Sequence, residues 1–573
     1  MPVHNSEIAA IFERLADLLE VEGANPFRVR AYRNAARLIR GHARSMADLL
    51  RQGQDLSKLP NIGTDLAAKI RTIVDSGTLP LLQEVGARTP AALSDLMKIE
   101  GLGPKRVKTL YEALHIRSFD ELAQAARDGR IRELPGFGRK TEQMIAERLQ
   151  RFTGGEQRTR LIDAGEIARS LLDHMKQLEG VRDAVVAGSY RRRRDTVGDL
   201  DILITARRGS AVMDHFTRYD EVAEVISRGT TRSRVRLRSG LSVDLRLVPQ
   251  VSYGAALHYF TGSKAHNIAV RKLGQKKGYK INEYGVFRGE KRIAGKTEKG
   301  VYACVGLPYI LPELRENRGE LEAARAGRLP RLITLKDIRG DLHCHTRATD
   351  GRHTLEQMAR AAVARGYEYL SINDHSQHLT VARGLDGKRL RAQIRAIDRL
   401  NEKLDGIVLL KSIEVDILEN GTLDLPDSVL RELDFTVCSV HYRFDLSSSR
   451  QTQRILRAMD NPCFNILGHP TGRLINEREP YAVDLEKIMK GARERGCILE
   501  LNANPARLDL TDEACKLAKD TGVCVAIATD AHSIDALDYM RFGVDQARRG
   551  WLEPDDIINT RPLGALRKLL QRK

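Results

Sequence analysis

Val197-Gly198-Asp199-Leu200-Asp201-Ile202-Leu203-Ile204-Thr205 reads as a strand that opens on two carboxylates two positions apart. Residues i and i+2 of a strand project from one face, so Asp199 and Asp201 reach a common point. Upstream, Asp183-Ala184-Val185-Val186-Ala187 is an apolar strand running into a Gly188-Ser189 turn, with Arg191 to Arg194 beside it. Downstream, Leu241 to Val248 forms a further strand that carries Asp244. Three such acids suit two divalent ions about 3.5–4 Å apart, which activate a 3′-oxygen and neutralise a triphosphate. A lone Asp-x-Asp pair is common in solvated loops; its place in this string of strands and a glycine turn sets it apart.

After Lys336 the pattern becomes short apolar strands ending in polar residues, most of them separated by helical segments. The strand ends are Asp341 to His345, Leu370 to His375, Val408 to Glu414, Phe435 to His441, Phe464 to His469, Cys497 to Asn502 and Val523 to His532. In a βα repeat the chemistry collects at the C-terminal ends of the strands. Six of the seven ends offer His, Asp or Glu, and eight of the 15 histidines fall after residue 340, which predicts one metal centre at a barrel mouth. Mixed imidazole and carboxylate ligands suit Mn²⁺, Zn²⁺ or Fe rather than Ca²⁺. His353 and His378 fall outside these motifs and are expected at the surface or against substrate.

The first ~150 residues read as helical, with periodic apolar positions and few strand signals. A glycine hairpin recurs in them: Leu59-Pro60-Asn61-Ile62-Gly63, Ile99-Glu100-Gly101-Leu102-Gly103 and Leu134-Pro135-Gly136-Phe137-Gly138. Gly63, Gly101, Gly103, Gly136 and Gly138 would bare backbone N–H groups at helix starts to a DNA phosphate, gripping the backbone without reading bases. The charge agrees. The chain carries a net +18, yet from Asp341 onward there are 34 Lys+Arg against 35 Asp+Glu, so the whole basic excess lies earlier. A concentrated basic excess suits a polyanion.

At 573 residues several domains are expected. No apolar run approaches the roughly 20 residues of a membrane span, and no signal-peptide core opens the chain. The 7 cysteines include no Cys-x-x-Cys pair, so neither a disulfide framework nor a cysteine zinc site is implied, and a cytoplasmic setting is expected.

The string Gly188-Ser189-Tyr190-Arg191-Arg192…Val197 to Asp201, with Val243-Asp244-Leu245-Arg246, resembles the family X DNA polymerases. So do Tyr259-Phe260-Thr261-Gly262-Ser263 and Asn282-Glu283-Tyr284-Gly285. The resemblance covers roughly residues 1–315. It implies a helical DNA-binding domain (1–88), fingers (89–157), a nucleotidyltransferase palm (158–255) and a thumb (256–318), followed by a linker (319–335). It further implies that Asp199, Asp201 and Asp244 bind Mg²⁺ or Mn²⁺ and carry catalysis. Gly188, Ser189 and Arg192 would then meet the dNTP triphosphate, while Tyr259, Phe260, Gly262, Asn267 and Arg271 line the nucleotide side. Lys69 falls where some members place a Schiff-base lysine for abasic-site lyase chemistry, although Asp65 stands one turn before it where those relatives carry lysine.

Residues 336–573 resemble the polymerase-and-histidinol-phosphatase (PHP) domain, which implies a distorted seven-stranded βα barrel and a site for three ions. The implied ligands are His343, His345, Asp350, His375, Glu414, His441, His469, Asp530 and His532; the departure is Asn373, where threonine usually precedes Asp-His. Together the two resemblances imply an α+β and α/β multidomain repair polymerase acting on gapped or primed DNA as a nucleoid-associated bacterial monomer. Its own 3′→5′ exonuclease or 3′-end-processing activity is expected in the PHP domain, with abasic-site incision and 3′-phosphate removal as related possibilities. A nucleotidyltransferase fused to a small-molecule phosphatase is the competing enzyme, and a DNA-end scaffold with decayed sites the competing binding protein. The hairpins and basic N-terminal part oppose the first, the intact ligand types the second.

Overall fold

A computed structural model describes residues 3–571 except 4, 41, 43–44, 60, 91, 98, 100–101, 155–157 and 208. Gly101, with Pro60 and Glu100 of the hairpins, therefore lies outside the described residues.

No strand occurs among the described residues before Thr159. Helix Asn5–Glu22 turns Ile8, Phe12, Leu15 and Leu19 inward, spacings that place them on one helical face. The hairpins share one construction. Ile62, Leu102 and Phe137 are buried plugs, and Gly63, Gly103 and Gly138 each lead directly into a helix: Thr64–Ser76, Pro104–Leu114 and Arg139–Gly154. Asn61, with φ 59°, takes the left-handed position that Gly136 fills with φ 81° in the third hairpin. Asparagine tolerates that conformation better than other non-glycine residues, which is why the first repeat manages without the first glycine. A Cβ at Gly63, Gly103 or Gly138 would meet nothing within 4 Å, so these glycines leave bare, solvent-facing N–H groups rather than fill a tight space. Arg106 lies over the Phe137 ring at 5.7 Å, joining the second and third hairpins.

A five-stranded sheet follows, with strands β1 (Val181–Val186), β2 (Asp199–Ala206), β3 (Val222–Arg228), β4 (Arg232–Leu237) and β5 (Ser242–Leu247) in the order β1-β2-β5-β4-β3. Helices Leu161–Lys176 and Gly209–Thr217 pack on it through Ile167, Leu171, Val212 and Phe216. Only β2 and β5 run parallel, in a register that sets Asp199 opposite Ser242 and Asp201 opposite Asp244. Helices Tyr253–Thr261 and Lys264–Lys276 and strands β6 (Lys280–Asn282), β7 (Gly285–Arg288) and β8 (Lys291–Ala294) come next, then helix Glu298–Val305.

The stretch expected to be a linker is packed. Leu321 and Ala324 of helix Glu320–Arg325 bury against Tyr302, in a cluster that also takes in Trp551 from near the end of the chain. One of its charges, Glu320, turns inward to His266, and just before the stretch Arg315 is buried against Glu298 at 2.7 Å. A charge-rich segment suggests solvent exposure only while those partners, distant in sequence, are unseen.

Beyond it, β9 (Gly340–Asp341), β10 (Tyr369–Ile372) and β11 (Val408–Lys411) form one parallel sheet. A second contains β12 (Glu414–Asp416), β13 (Val437–Ser439), β14 (Ile466–Leu467), β15 (Ile498–Asn502) and β16 (Val525–Ala528). Parallel bridges His375–Glu414 and Cys344–Ala531 join the two sheets at both seams. With β11 and β12 counted as one interrupted strand, the ring has seven. Asn373 stitches it: its amide donates to Ser412 Oγ at 2.8 Å and its carbonyl accepts from the Cys344 N–H. Asn373 therefore preserves the strand end rather than disturbing it.

Candidate metal centres

The β2–β5 register brings Asp201 and Asp244 side by side, with Asp199 one strand repeat away on the same face. Burial, then the neighbouring Asp199 and Asp244 carboxylates, push Asp201 up to about 7. Such a surplus of negative charge fits a cation. Asp244 already accepts a fork from Arg232 (Nε–Oδ1 2.9 Å, second nitrogen–Oδ2 2.7 Å), with Arg246 at 3.6 Å. Its oxygens retain further lone pairs for an ion. Gly188, with φ 59°, sits over this triad, and a Cβ there would fall 2.4 Å from Asp201 Oδ2. A side chain there would press on the Asp201 carboxylate and strain the left-handed backbone.

The triad borders a cleft of about 1090 Å³ lined by Gly188, Ser189, Arg192, Asp199, Asp201, Tyr259, Phe260, Gly262, Asn267 and Arg271. All eight residues expected around the nucleotide are thus gathered, although Asp244 lies behind the lining. Arg271 stacks over Tyr259 at 4.9 Å and Arg246 over Phe260 at 4.3 Å. The Asn267 amide donates to the Tyr259 carbonyl at 2.7 Å, and its Oδ1 is buried without a partner. Arg194, of the basic run beside the turn, also lines the cleft, together with Arg158, Arg234, Arg236 and Lys264, which no sequence motif marks. They come from separate strands and turns, so only the fold reveals them as one basic wall. Arg191, adjacent to the expected triphosphate arginine, instead forms a fork with Glu298 (2.9 and 2.6 Å). Burial opposes the Glu298 charge, but Arg191 and Arg315 outweigh it and hold its carboxyl near 2. Arg192 has two nitrogens engaged, with Glu316 at 3.0 Å and the Thr261 carbonyl at 2.6 Å.

Lys69 pairs with Asp65 one turn earlier on helix Thr64–Ser76. A lysine nitrogen engaged by a carboxylate is not presented as a free Schiff-base nucleophile.

In the C-terminal ring, alternation sends His343 and His345 to one side and Cys344 to the other, where its Sγ donates to the Ser371 carbonyl at 2.9 Å. Glu414, 1% exposed, is the hub. Its oxygens lie 2.8 Å from His375 Nδ1, 2.9 Å from His469 Nε2, 3.2 Å from His441 Nε2, and 3.5 and 3.6 Å from His343 and His345 Nε2. Three groups of ligand atoms, each within 4.8 Å, emerge: His345-Asp350-His375-His532, His343-His345-Asp530 and His375-Glu414-His441. His469 joins through Glu414, so all nine expected ligands converge. His343 and His345 point Nε2 atoms at each other across 3.1 Å, and Nδ1 of His345 and of His469 are buried without a hydrogen-bond partner. Facing imidazole nitrogens beside carboxylates fit cations better than they fit one another. His469 (φ 26°) and Asp530 (φ 52°) hold left-handed backbone, strain of the kind functional sites tolerate.

A second ring of residues orients the first. Glu500 accepts from His343 Nδ1 at 2.6 Å and from the His469 N–H at 2.6 Å, and Asp416 faces His441 Nδ1 at 2.6 Å. The Asn502 amide reaches both Glu500 and Asp530. Glu500 lies on the strand whose end offered no ligand, and its alternation with Asn502 was the available signal. Asp374 is structural, accepting from Thr346 and Thr349. His353 accepts the Ile534 N–H, and His378 packs against Tyr442 at 4.5 Å. Because such outer partners fix tautomer and basicity, Glu500→Gln is expected to lower metal affinity or hydrolysis by ~10–100-fold. Metal titration of the variant checks this; affinity and rate equal to wild type would remove Glu500 from the site.

Family models now place the chain. The DNA polymerase beta palm matches residues 162–244 and the DNA polymerase beta thumb residues 256–316. A helix-hairpin-helix domain matches 3–79 and a SAM-like helix-hairpin-helix tandem 93–151. The chain is 37% identical to DNA polymerase/3′-5′ exonuclease PolX of Bacillus subtilis (strain 168), over 100% of both proteins. The chain belongs to the family X DNA polymerases that carry a C-terminal PHP domain. Separately, 41% of this family X chain is 30% identical to a probable phosphatase of Thermoanaerobacter sp. (strain X514), covering 94% of it. A probable phosphatase of Caldanaerobacter subterraneus subsp. tengcongensis is 29% identical, with 91% covered. No helix among the described residues is long and apolar enough to cross a membrane.

The raised Asp201 carries a pH signature. Its carboxyl keeps a proton to higher pH in the folded protein than in the unfolded chain. Metal-free stability therefore falls as pH rises from about 4 to about 7. Cation binding at the triad offsets this repulsion, so the rise in melting temperature on adding Mg²⁺ is expected to grow from pH 5 to pH 8. Asp201→Asn should flatten that growth. Thermal scans of both proteins decide it; parallel pH profiles would contradict the assignment.

Proposed function

We propose that this family X member fills short gaps in DNA during base excision repair and trims 3′ ends with a metal-dependent 3′→5′ exonuclease in its PHP domain. The observation that carries the first activity is the register of Asp199, Asp201 and Asp244 beside a cleft lined by every residue expected to meet a nucleotide. The three acids would hold two Mg²⁺ or Mn²⁺ ions. Such ions activate a 3′-oxygen and neutralise charge on the triphosphate. The remaining work falls to side chains. The Gly188-Ser189 turn and Arg192 bind phosphate oxygens, while Tyr259 and Phe260, backed by Arg271 and Arg246, form the wall beside the sugar and base. Bare N–H groups after Gly63, Gly103 and Gly138 hold the duplex backbone.

The second activity is supported by the convergence of all nine PHP ligand types on Glu414. Three ions of Mn²⁺, Zn²⁺ or Fe would neutralise the scissile phosphate and activate its attacking oxygen. Glu500 and Asp416 keep the imidazoles in the tautomer that presents Nε2 inward. Lys69 receives no lyase role. The expected domain limits, with the 319–335 stretch as a packed connector, and a monomer acting on DNA in the bacterial cytoplasm complete the reading. Extension of a gapped duplex with Mg²⁺ and dNTPs tests the polymerase, and release of 3′ nucleotides with Mn²⁺ tests the nuclease. Absence of incorporation would leave the palm without its assigned role.

A further inference from the structure

The turn that runs from Gly188 to Asp195 faces the nucleotide cleft on one side and the PHP domain on the other. Arg549, at the end of helix Met540–Arg549 and 3% exposed, reaches across this boundary. One terminal nitrogen donates to the Arg192 carbonyl at 2.6 Å and to Glu316 Oε1 at 3.1 Å. The other donates to Asp512 Oδ2 at 2.6 Å, which Arg318 also holds at 2.9 Å. The same Glu316 oxygen accepts from Arg192 Nε at 3.0 Å. A single guanidinium of the nuclease domain thus fixes both the backbone of Arg192 and the carboxylate that aims its side chain. Two neighbouring contacts grip the same region: Arg473 with Asp195 at 3.1 Å, and the Asn476 amide with the carbonyl of Arg158, a cleft-lining residue, at 2.8 Å.

An arginine side chain left to itself samples many rotamers, and immobilising it on nucleotide binding costs entropy. A rigid fork that engages a carbonyl and two carboxylates at once removes that freedom beforehand, which a lysine's point charge does not reproduce. We propose that Arg549 is a positioning residue of the polymerase site, so that the PHP domain sets the pose of Arg192 and with it the affinity for the incoming nucleotide. This rests on the polymerase reading above. It makes the C-terminal domain a working part of nucleotide binding as well as a nuclease.

Single-nucleotide gap filling by full-length wild type, Arg549→Met, Arg549→Lys and Glu316→Gln tests it. Arg549→Met is expected to raise the KM for dNTP roughly tenfold with kcat little changed, and Arg549→Lys to fall between it and wild type. Adding Glu316→Gln to Arg549→Met should cost little more, because both act through one carboxylate. Nuclease activity, in which Arg549 has no part, reports whether each variant is folded. Should Arg549→Met fail that control, Asp512→Asn, which releases the other end of the fork, is expected to raise KM in the same direction. A folded Arg549→Met, or in its place a folded Asp512→Asn, with wild-type KM would overturn the proposal. Loss of melting temperature without a KM change would do the same, leaving Arg549 as interdomain packing. If wild type itself incorporates nothing, the failure belongs to the polymerase reading instead.

Discussion

Asp201→Ala lowers nucleotide incorporation by ~10²–10³-fold or more, while 3′-end hydrolysis by the same preparation stays at the wild-type rate. The magnitude follows from losing a preorganised charge aimed at the reacting centre. Asp201 stands directly opposite Asp244 and beside Asp199, and burial with two like charges already raises its carboxyl to about 7. A bound cation relieves this crowding, so alanine removes both a ligand and part of the negative charge that attracts an ion. The triad lies on the palm sheet, and no PHP ligand belongs to that sheet. Primer extension and 3′ release, measured side by side, check the result. Nuclease loss in parallel with polymerase loss would show that the variant is unfolded or that one site serves both reactions.

The reverse pattern is expected of Glu414→Ala. Five imidazoles lie within 3.6 Å of the Glu414 carboxylate, and burial, which by itself would raise its carboxyl, is overcome by His441, His375 and His343. Removing it leaves a buried ring of histidines without the negative charge that gathers cations there, and deleting one partner of a buried charge network is costly. Hydrolysis should fall below detection and bound metal should drop, with extension of a gapped primer unchanged. Metal analysis of purified protein together with both assays decides it. A fully metallated, active Glu414→Ala would place the hydrolytic centre elsewhere.

Much of this was legible in the chain because period-2 alternation is a local rule. Asp199 and Asp201, or His343 and His345, share a face whatever the fold does around them. The hairpins were legible because each is a short local string, an apolar plug flanked by glycine or asparagine. What the sequence did not disclose depends on partners far away along the chain. Arg191 and Arg192 are adjacent and alike, yet one turns to Glu298 and the other to the cleft edge. Glu500 and Asp416 look like any strand acids until β15 and β12 are closed into a ring with His343 and His441. The stretch from 319 to 335 reads as a linker because Glu320 meets its buried partner, His266, only in the folded protein.

Extension and 3′ hydrolysis each depend on their own metal-ligand set within one chain. A labelled gapped duplex, incubated with dNTPs and Mg²⁺ or without dNTPs and with Mn²⁺, compares wild type, Asp201→Ala and Glu414→Ala in one experiment. Wild type is expected to extend and to shorten 3′ ends, Asp201→Ala to shorten alone, and Glu414→Ala to extend alone. Either variant losing both activities while remaining folded, or neither losing any, would contradict it.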